Sequence, residues 1–378
     1  MADPRPDPVA LAQRLVATPS MTPPGDTAAV AALLVPLLQQ AGFAITLHDT
    51  PRGGRNLLAI LSGAGTKAPL CLTGHLDTVP LGEAHWSVDP FGGAIRDGRL
   101  HGRGASDMKA GIAALVAAAV EMARFPARAA DVVLILTAEE ESGSQGAMAL
   151  ADANLLPRRA SALLVAEPTA CRPLLGHKGA LWIRATFAGK AAHGSMPQLG
   201  DNAVDKAVRA AAALPALLSG YAPHPLLGAP TASIGTLHGG GKVNIVPDKA
   251  VLEVDLRSLP GMDHADLLDR LQTLWPQAVL EVLTDLPPVL TPPDHPLVRT
   301  AQDVLEALEG ERPEPGTVSF FTDASILTTA LGHPPVLLFG PGDPGQAHQT
   351  DEYCPVHTIA TATAFYTAFA KRWLESPS

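Results

Sequence analysis

Five short stretches, residues 56–61, 70–73, 132–137, 162–166 and 336–339, are apolar at nearly every position and bounded by turn residues. Such runs, without alternation, predict strands covered on both faces, as in a largely parallel sheet. Between them lie stretches with helical periodicity. The first helix is predicted to start with Asp7 as cap and Pro8 as first helical residue, where a missing N–H costs nothing. A second runs over 27–41, stops at Gly42 and is expected to kink at Pro36. A third covers 109–125 and a last one 358–374. Strands alternating with helices in this way predict an α/β fold, a mostly parallel twisted sheet flanked by helices.

The middle of the chain has a different pattern. In 251–256, Leu252, Val254 and Leu256 alternate with Glu253 and Asp255, and Arg257 continues the polar series. Residues 180–188 are also mixed. Alternation predicts strands with one wet face. Helical stretches follow at 202–218 and 263–274. We therefore expect an inserted α+β domain over 179–290, with 1–178 and 291–378 forming the first domain.

Composition narrows the function classes. With 47% hydrophobic and 17% charged residues, the 378-residue chain can bury a large core. A net charge of −10 and 4% aromatics argue against a nucleic-acid partner, since both phosphate attraction and base stacking are poorly served. Gly (34) and Pro (36) are numerous but scattered, which reads as many tight turns. The three cysteines, Cys71, Cys171 and Cys354, cannot all pair and fit a reducing compartment. The first eight residues lack a basic segment leading into an apolar one, and the longest apolar run, 110–120, is about half a membrane span. The expectation is a cytoplasmic protein with no membrane partner.

The chemistry sits just beyond the predicted strands. After 70–73 comes Gly74-His75-Leu76-Asp77; after 132–137 comes Ala138-Glu139-Glu140-Glu141; after 162–166 comes Glu167; after 336–339 a Gly/Pro loop leads to His348. Asp107 precedes the helix that connects two of these strands. Singly, each has an ordinary reading: Asp107 as a helix cap, Glu167 as a strand terminator before Pro168, the three glutamates as a solvated turn. Together they occupy strand carboxyl ends, the rim where open α/β sheets bind ligands. Converging carboxylates call for a cation. Mixed imidazole and carboxylate donors suit zinc, cobalt or manganese, and five of them exceed the three protein ligands usual for one catalytic zinc. They suit two ions about 3.5–4 Å apart, bridged by a carboxylate.

The ordered motifs His75-Leu76-Asp77-Thr78-Val79-Pro80, Asp97-Gly98-Arg99-Leu100-His101-Gly102-Arg103-Gly104, Asp107-Met108-Lys109, Ala166-Glu167-Pro168-Thr169, Asp255-Leu256-Arg257 and His348 to Tyr353 span nearly the whole chain. In them the sequence resembles the co-catalytic zinc amidohydrolases and peptidases, a family that includes acetylornithine deacetylase, succinyl-diaminopimelate desuccinylase, aminoacylase and glutamate carboxypeptidase. The segments around Thr322-Asp323-Ala324 and Gln346 to Tyr353 look most like the acetylornithine deacetylases.

The resemblance implies two bound divalent ions, most often zinc. It places His75 and Glu167 on one ion, Glu141 and His348 on the other, and Asp107 between them, followed by a cis peptide to Met108. It makes Asp77 the partner that orients the His75 imidazole and Glu140 the general base. The family usually has Asp-Glu-Glu where this chain has Glu139-Glu140-Glu141. Gly143 and Gly146 fall in register when the last two glutamates are matched; a slip of one would move the base to Glu139. In the inserted domain, which the family uses as a lid and for homodimerisation, the resemblance has His193 reach a partner subunit's site as a donor to the developing oxyanion. Arg257, assisted by Asn244, is expected on a substrate carboxylate, with Lys178 a further candidate. The implied substrate is a small N-acyl amino acid, N-acetyl-L-ornithine first. Succinyl-diaminopimelate, di- or tripeptides and carboxypeptidase substrates are alternatives within the family, and a catalytically silent binding protein is an alternative outside it.

Overall fold

The computed structural model describes residues 5–125 and 127–375. The Met1–Pro4 part of the segment read for a leader lies outside them. Strands are β1 (Ala44–Asp49), β2 (Arg55–Leu61), β3 (Lys67–His75), β4 (Ile95–Arg96), β5 (Arg99–His101), β6 (Ala130–Thr137), β7 (Ala162–Val165), β8 (Leu174–His177), β9 (Ala180–Ala188), β10 (Thr231–Gly239), β11 (Lys249–Arg257), β12 (Ala278–Leu286), β13 (Val289–Leu290), β14 (Gly316–Val318), β15 (Val336–Leu338) and β16 (Tyr353–Pro355). Helices are α1 (Pro8–Val16), α2 (Ala28–Gln40), α3 (Ala110–Met122), α4 (Gln145–Asp152), α5 (Ala203–Ala213), α6 (His264–Leu274), α7 (Pro296–Glu309), α8 (Ala324–Ala330) and α9 (Val356–Glu375). They fall into two compact units, the first comprising residues up to Gly176, Leu290–Gly316 and 322 onward, the second His177–Val289 and Thr317–Phe321. That last segment lies beyond the inserted span read from the sequence.

The first unit carries a nine-stranded mixed sheet in the order β1-β2-β6-β3-β7-β15-β8-β13, with β14 paired to β8. Its centre is parallel, as the apolar runs predicted. Leu70–His75 of β3 lie beside Val132–Thr137 of β6, and Leu70–Thr73 beside Ala162–Val165 of β7; β15 runs parallel to β7. The parallel expectation fails for β2, which pairs antiparallel with β6 although five of its seven residues are buried. A fully apolar run records burial of both faces, not strand direction.

Helix α1 begins as expected, with the Asp7 carboxylate accepting from Val9 N at 2.9 Å. Helix α2 contains Pro36 in its interior and still continues to Gln40. Helix α3 is buried at every position but Glu121, packed against α1 and α9, which is why it shows no polar face. Gly111 allows this: a Cβ there would stand 2.2 Å from the Ala166 carbonyl oxygen, so only glycine lets α3 sit so close to the end of β7. Beneath, Phe339 stacks on Phe365 with ring centroids 3.8 Å apart, and Tyr366 and Phe369 extend the cluster along α9. Each such side chain contributes roughly 1.5–3 kcal/mol by burial.

The second unit is a four-stranded antiparallel sheet, β10-β11-β9-β12. The predicted alternation is seen in β11: Ala250, Leu252, Val254 and Leu256 are buried, while Glu253 meets Arg184 of β9 at 2.8 Å on the wetter face. Helices α5 and α6 turn Ala203, Ala207 and Ala210, and Leu267 and Leu271, inward. The stretch read as one helix over 202–218 instead ends its α-helical part at Ala213. Pro215 cannot donate the next backbone bond, and a tighter turn follows over Leu214–Leu218.

Candidate metal centre and active site

Parallel register brings the chemistry to one rim. His75 ends β3 opposite Thr137 of β6, and Thr73 lies opposite Val165 of β7. The chain beyond each strand therefore emerges at the same level, placing His75, Glu140, Glu141 and Glu167 around one point. Asp107 enters from the loop before α3, and His348 from the loop after β15.

The side chains meet. His75 Nε2 is 3.0 Å from Asp107 Oδ1. His348 Nε2 is 3.4 Å from the other oxygen, Asp107 Oδ2, and 3.1 Å from Glu141 Oε2. Donor atoms of His75, Asp107 and Glu141 all lie within 4.8 Å of one another. Asp107 thus presents one oxygen to each imidazole, the disposition a bridging carboxylate requires. The Asp107–Met108 peptide is cis.

The neighbouring charges leave their mark. Burial opposes a charged His75, but Asp107, Glu167 and Asp77 outweigh it and lift its pKa well above the usual value. Hydrogen bonds to Asp107 and Glu141 raise His348 to about 10. Burial would raise Asp107, yet the two imidazoles hold it below the ordinary carboxylate range. Burial, reinforced by Asp107, pushes Glu141 up and Glu167 well up. His75, Asp107 and Glu141, with His348 against the last two, form a donor set that fits a divalent ion with nitrogen and oxygen ligands, and Glu167 is close enough to feel their charges.

The acidic turn resolves into separate directions. Glu139 Oε1 accepts from Thr50 Oγ1 at 2.6 Å and Gly54 N at 3.1 Å, so its carboxylate faces the β1–β2 turn. Glu140 is 6% exposed, and burial with Asp323, Glu141 and Glu167 nearby lifts its pKa well above the usual value. Asp77 is fully buried, and its carboxylate accepts from the backbone N–H of Glu140 (3.2 Å) and Glu141 (3.3 Å). The His75 ring finds the Asp77 backbone oxygen at 3.0 Å, nearer than the Asp77 carboxylate at 3.7 Å. Donation of Nδ1–H to that carbonyl orients the ring with Nε2 on the Asp107 side, where its proton meets the carboxylate and would give way to an ion.

The remaining candidates lie in the second unit. Exposed His193 is bridged to Ile245, beside exposed Asn244, and its Nδ1 is 2.7 Å from Ser195 Oγ. Arg257 forms a two-point contact with Asp255 (2.9 and 3.0 Å) and lies over the Phe321 ring at 5.6 Å. Its Nη1 is buried without a hydrogen-bond partner. Lys178 is 8% exposed and gives its ammonium to the Ala229 carbonyl at 2.6 Å, while burial, then Arg257, lowers its pKa.

Sequence reading gave no role to Asp323. It is buried at the start of α8, bonded to Thr137 Oγ1 at the end of β6, and raised by burial to about 6. Nothing in one sequence separates such a carboxylate from a helix-capping aspartate.

The chain is similar to known proteins along most of its length. The profile of Peptidase family M20/M25/M40 matches residues 71–372. Acetylornithine deacetylase of Photorhabdus laumondii is 32% identical over 372 residues, covering 93% of each chain, and that of Proteus mirabilis 33% over 366, covering 91% of each. Among solved structures, an M20 family metallo-carboxypeptidase from Sulfolobus solfataricus superposes with a TM-score of 0.82 at 19% identity, over 97% of this chain and 99% of its own. Aminopeptidase PepT from Bacillus cereus gives 0.75 at 22%, over 96% and 97%. The fold is shared with these enzymes and the sequence with the deacetylases along almost its full length: the chain belongs to peptidase family M20/M25/M40.

Proposed function

We propose that this metallohydrolase removes the acyl group from a small N-acyl amino acid, with N-acetyl-L-ornithine as its substrate. The observation that carries the reading is Asp107 turned with one oxygen to His75 and the other to His348, beside a buried Glu140. The names of the relatives at 32–33% identity support the choice of substrate.

In this reading His75 and Glu167 would hold one divalent ion and Glu141 and His348 a second, with Asp107 available to both. Zinc is the first expectation, with cobalt or manganese also suited to the donors. Bound there, such ions would lower the pKa of a water and polarise the scissile carbonyl. Glu140 takes the proton of the attacking water and returns it to the leaving nitrogen, a task for which a carboxyl with an elevated pKa is suited. Asp77 keeps the Glu140–Glu141 turn in place through two backbone hydrogen bonds. Arg257 receives the substrate carboxylate with its spare Nη1, Asn244 assists, and Lys178 serves through the Ala229 segment that it holds.

The test is a panel of N-acetyl-L-ornithine, succinyl-diaminopimelate and dipeptides on zinc- or cobalt-loaded enzyme. N-acetyl-L-ornithine should give the highest kcat/KM, by at least about tenfold, because pocket contacts of one hydrogen-bonding or charged group discriminate by that much or more. A higher value for a dipeptide or the succinyl compound would reassign the substrate within the family.

We further propose a homodimer formed through the second unit, in which His193 serves the partner's site as an oxyanion donor. Strand β10 is an outer strand of its sheet and exposes Ile234 (46%) and Leu237 (40%), a surface that favours pairing. His193→Ala should lower kcat by about 10²–10³, the usual loss for one oxyanion donor, and leave metal content unchanged. Mixed with a Glu140→Gln protein under conditions where subunits exchange, it should regain activity. Exchanged heterodimers without activity would refute sharing between subunits. We propose a cytoplasmic setting, with which three buried thiols that form no disulfide agree; no described helix is long and apolar enough to cross a membrane.

A further inference from the structure

Two of the five candidate ligands come from strand ends fixed by the sheet, His75 and Glu167. Asp107 and His348 come from loops and need another source of precision. Between those loops lies a buried charge pair. Arg103 is 2% exposed and Glu352 0%, with Nη1 and Oε2 2.7 Å apart. Glu352 spends both oxygens on the Asp107 loop. Oε2 also accepts from Gly104 N (2.9 Å), and Oε1 accepts from Ser106 N (2.7 Å) and from Asp107 N itself (3.0 Å). Arg103 in turn donates to the carbonyl of Gln349, the residue after His348, at 3.1 Å, and to Pro80 O at 3.2 Å. Ser106 Oγ donates to Tyr353 O at 2.8 Å. The backbone of Asp107 and that of the His348 segment therefore hang on one carboxylate and one guanidinium.

Folding stability is a poor explanation for such a pair, since desolvating two charges consumes most of what their attraction returns. Positional precision is a better one. We propose that Glu352, acting with Arg103, is the positioning residue that sets Asp107 against His348 and thereby fixes the affinity of the second ion, the one shared by Asp107, Glu141 and His348. This rests on the two-ion reading above. The first ion keeps its strand-borne ligands His75 and Glu167 and depends on the clamp less.

The test uses full-length protein stripped by a chelator and titrated with Zn²⁺ by calorimetry, with Co²⁺ visible absorption reporting each site. Wild type should bind two ions. Glu352→Gln keeps shape but puts an amide where Arg103 or the loop N–H groups need an acceptor. Arg103→Lys keeps charge but cannot reach Glu352, Gln349 O and Pro80 O together. Each variant should bind one ion within about threefold of wild type and the other about 10–100-fold more weakly, the range for partners that orient ligands. Glu352→Asp should recover part of the loss. A merely structural role would lower the melting temperature and leave the two affinities as they were. That result, or an equal loss at both sites, overturns the inference. Should Glu352→Gln fail to fold, Arg103→Lys carries the same comparison. A wild type that binds only one ion overturns the two-ion reading and this inference with it, whereas two ions bound unchanged by the variants overturns this inference alone.

Discussion

Glu140→Gln is expected to cut turnover by about 10²–10⁴ while the protein keeps both ions. The amide is nearly isosteric with the carboxylate it replaces, so the turn survives: the backbone N–H groups of residues 140 and 141 remain bonded to Asp77. What is lost is the ability to accept a proton. In wild type, burial first, and then the charges of Asp323, Glu141 and Glu167, make Glu140 a better proton acceptor than an ordinary glutamate. KM should change little, since the step removed lies after binding. Steady-state kinetics with N-acetyl-L-ornithine and elemental analysis of the same preparation measure both halves. Glu139→Gln is the matching control. Its carboxylate serves Thr50 and Gly54, so that substitution should cost stability and spare turnover. If the two variants exchanged these phenotypes, the register of the acidic turn would be wrong by one residue.

The parts of this architecture that could be read from the chain are those where one physical demand dominates. Strands β3, β6, β7 and β15 are covered on both faces, so their sequences can only be apolar, and they were legible to within three residues. Strand β11, wet on one face, was legible as alternation. Strands β1, β10 and β12 were not, because an outer strand has partly exposed positions on both faces and its pattern dissolves into that of a loop. The ligand candidates were legible because parallel strands end on one rim, and position beyond a strand is visible in sequence even when contact is not. Glu352, Arg103 and Asp323 were opaque for the converse reason. A charged residue outside a strand or helix normally faces water, and only the partner brought by the fold shows that these are buried. The pairing of Arg103 with Glu352 spans 249 positions, beyond any local pattern. Resemblance supplied the assignment of each ligand to an ion, which neither spacing nor periodicity contains.

Removing the divalent ions with a chelator is expected to abolish hydrolysis, and returning zinc at pH 7 should release at least about two protons per chain, one from each imidazole. An imidazole ligates only when neutral. Asp107 and Glu141 hold His348 at about 10, and Asp107, Glu167 and Asp77, acting against burial, hold His75 well above its usual value, so at neutral pH both rings carry a proton that the ion must displace. The sign of the stability effect follows. A histidine whose folded pKa lies above its unfolded one stabilises the metal-free fold fully below about pH 6.5, and that contribution is lost as pH rises toward 10. The metal-free enzyme is thus favoured by acid, whereas the ions bind more tightly as protons leave. Zinc at a thousandfold excess over its dissociation constant should stabilise the fold by about 4 kcal/mol per site at pH 8, and at the same free zinc concentration by progressively less toward pH 6. Calorimetric titration in buffers of different ionisation enthalpy counts the protons, and thermal unfolding with and without zinc follows the stability. Zinc binding without proton release would mean that the imidazoles do not ligate, and full activity with no detectable metal would remove the ions from the reaction.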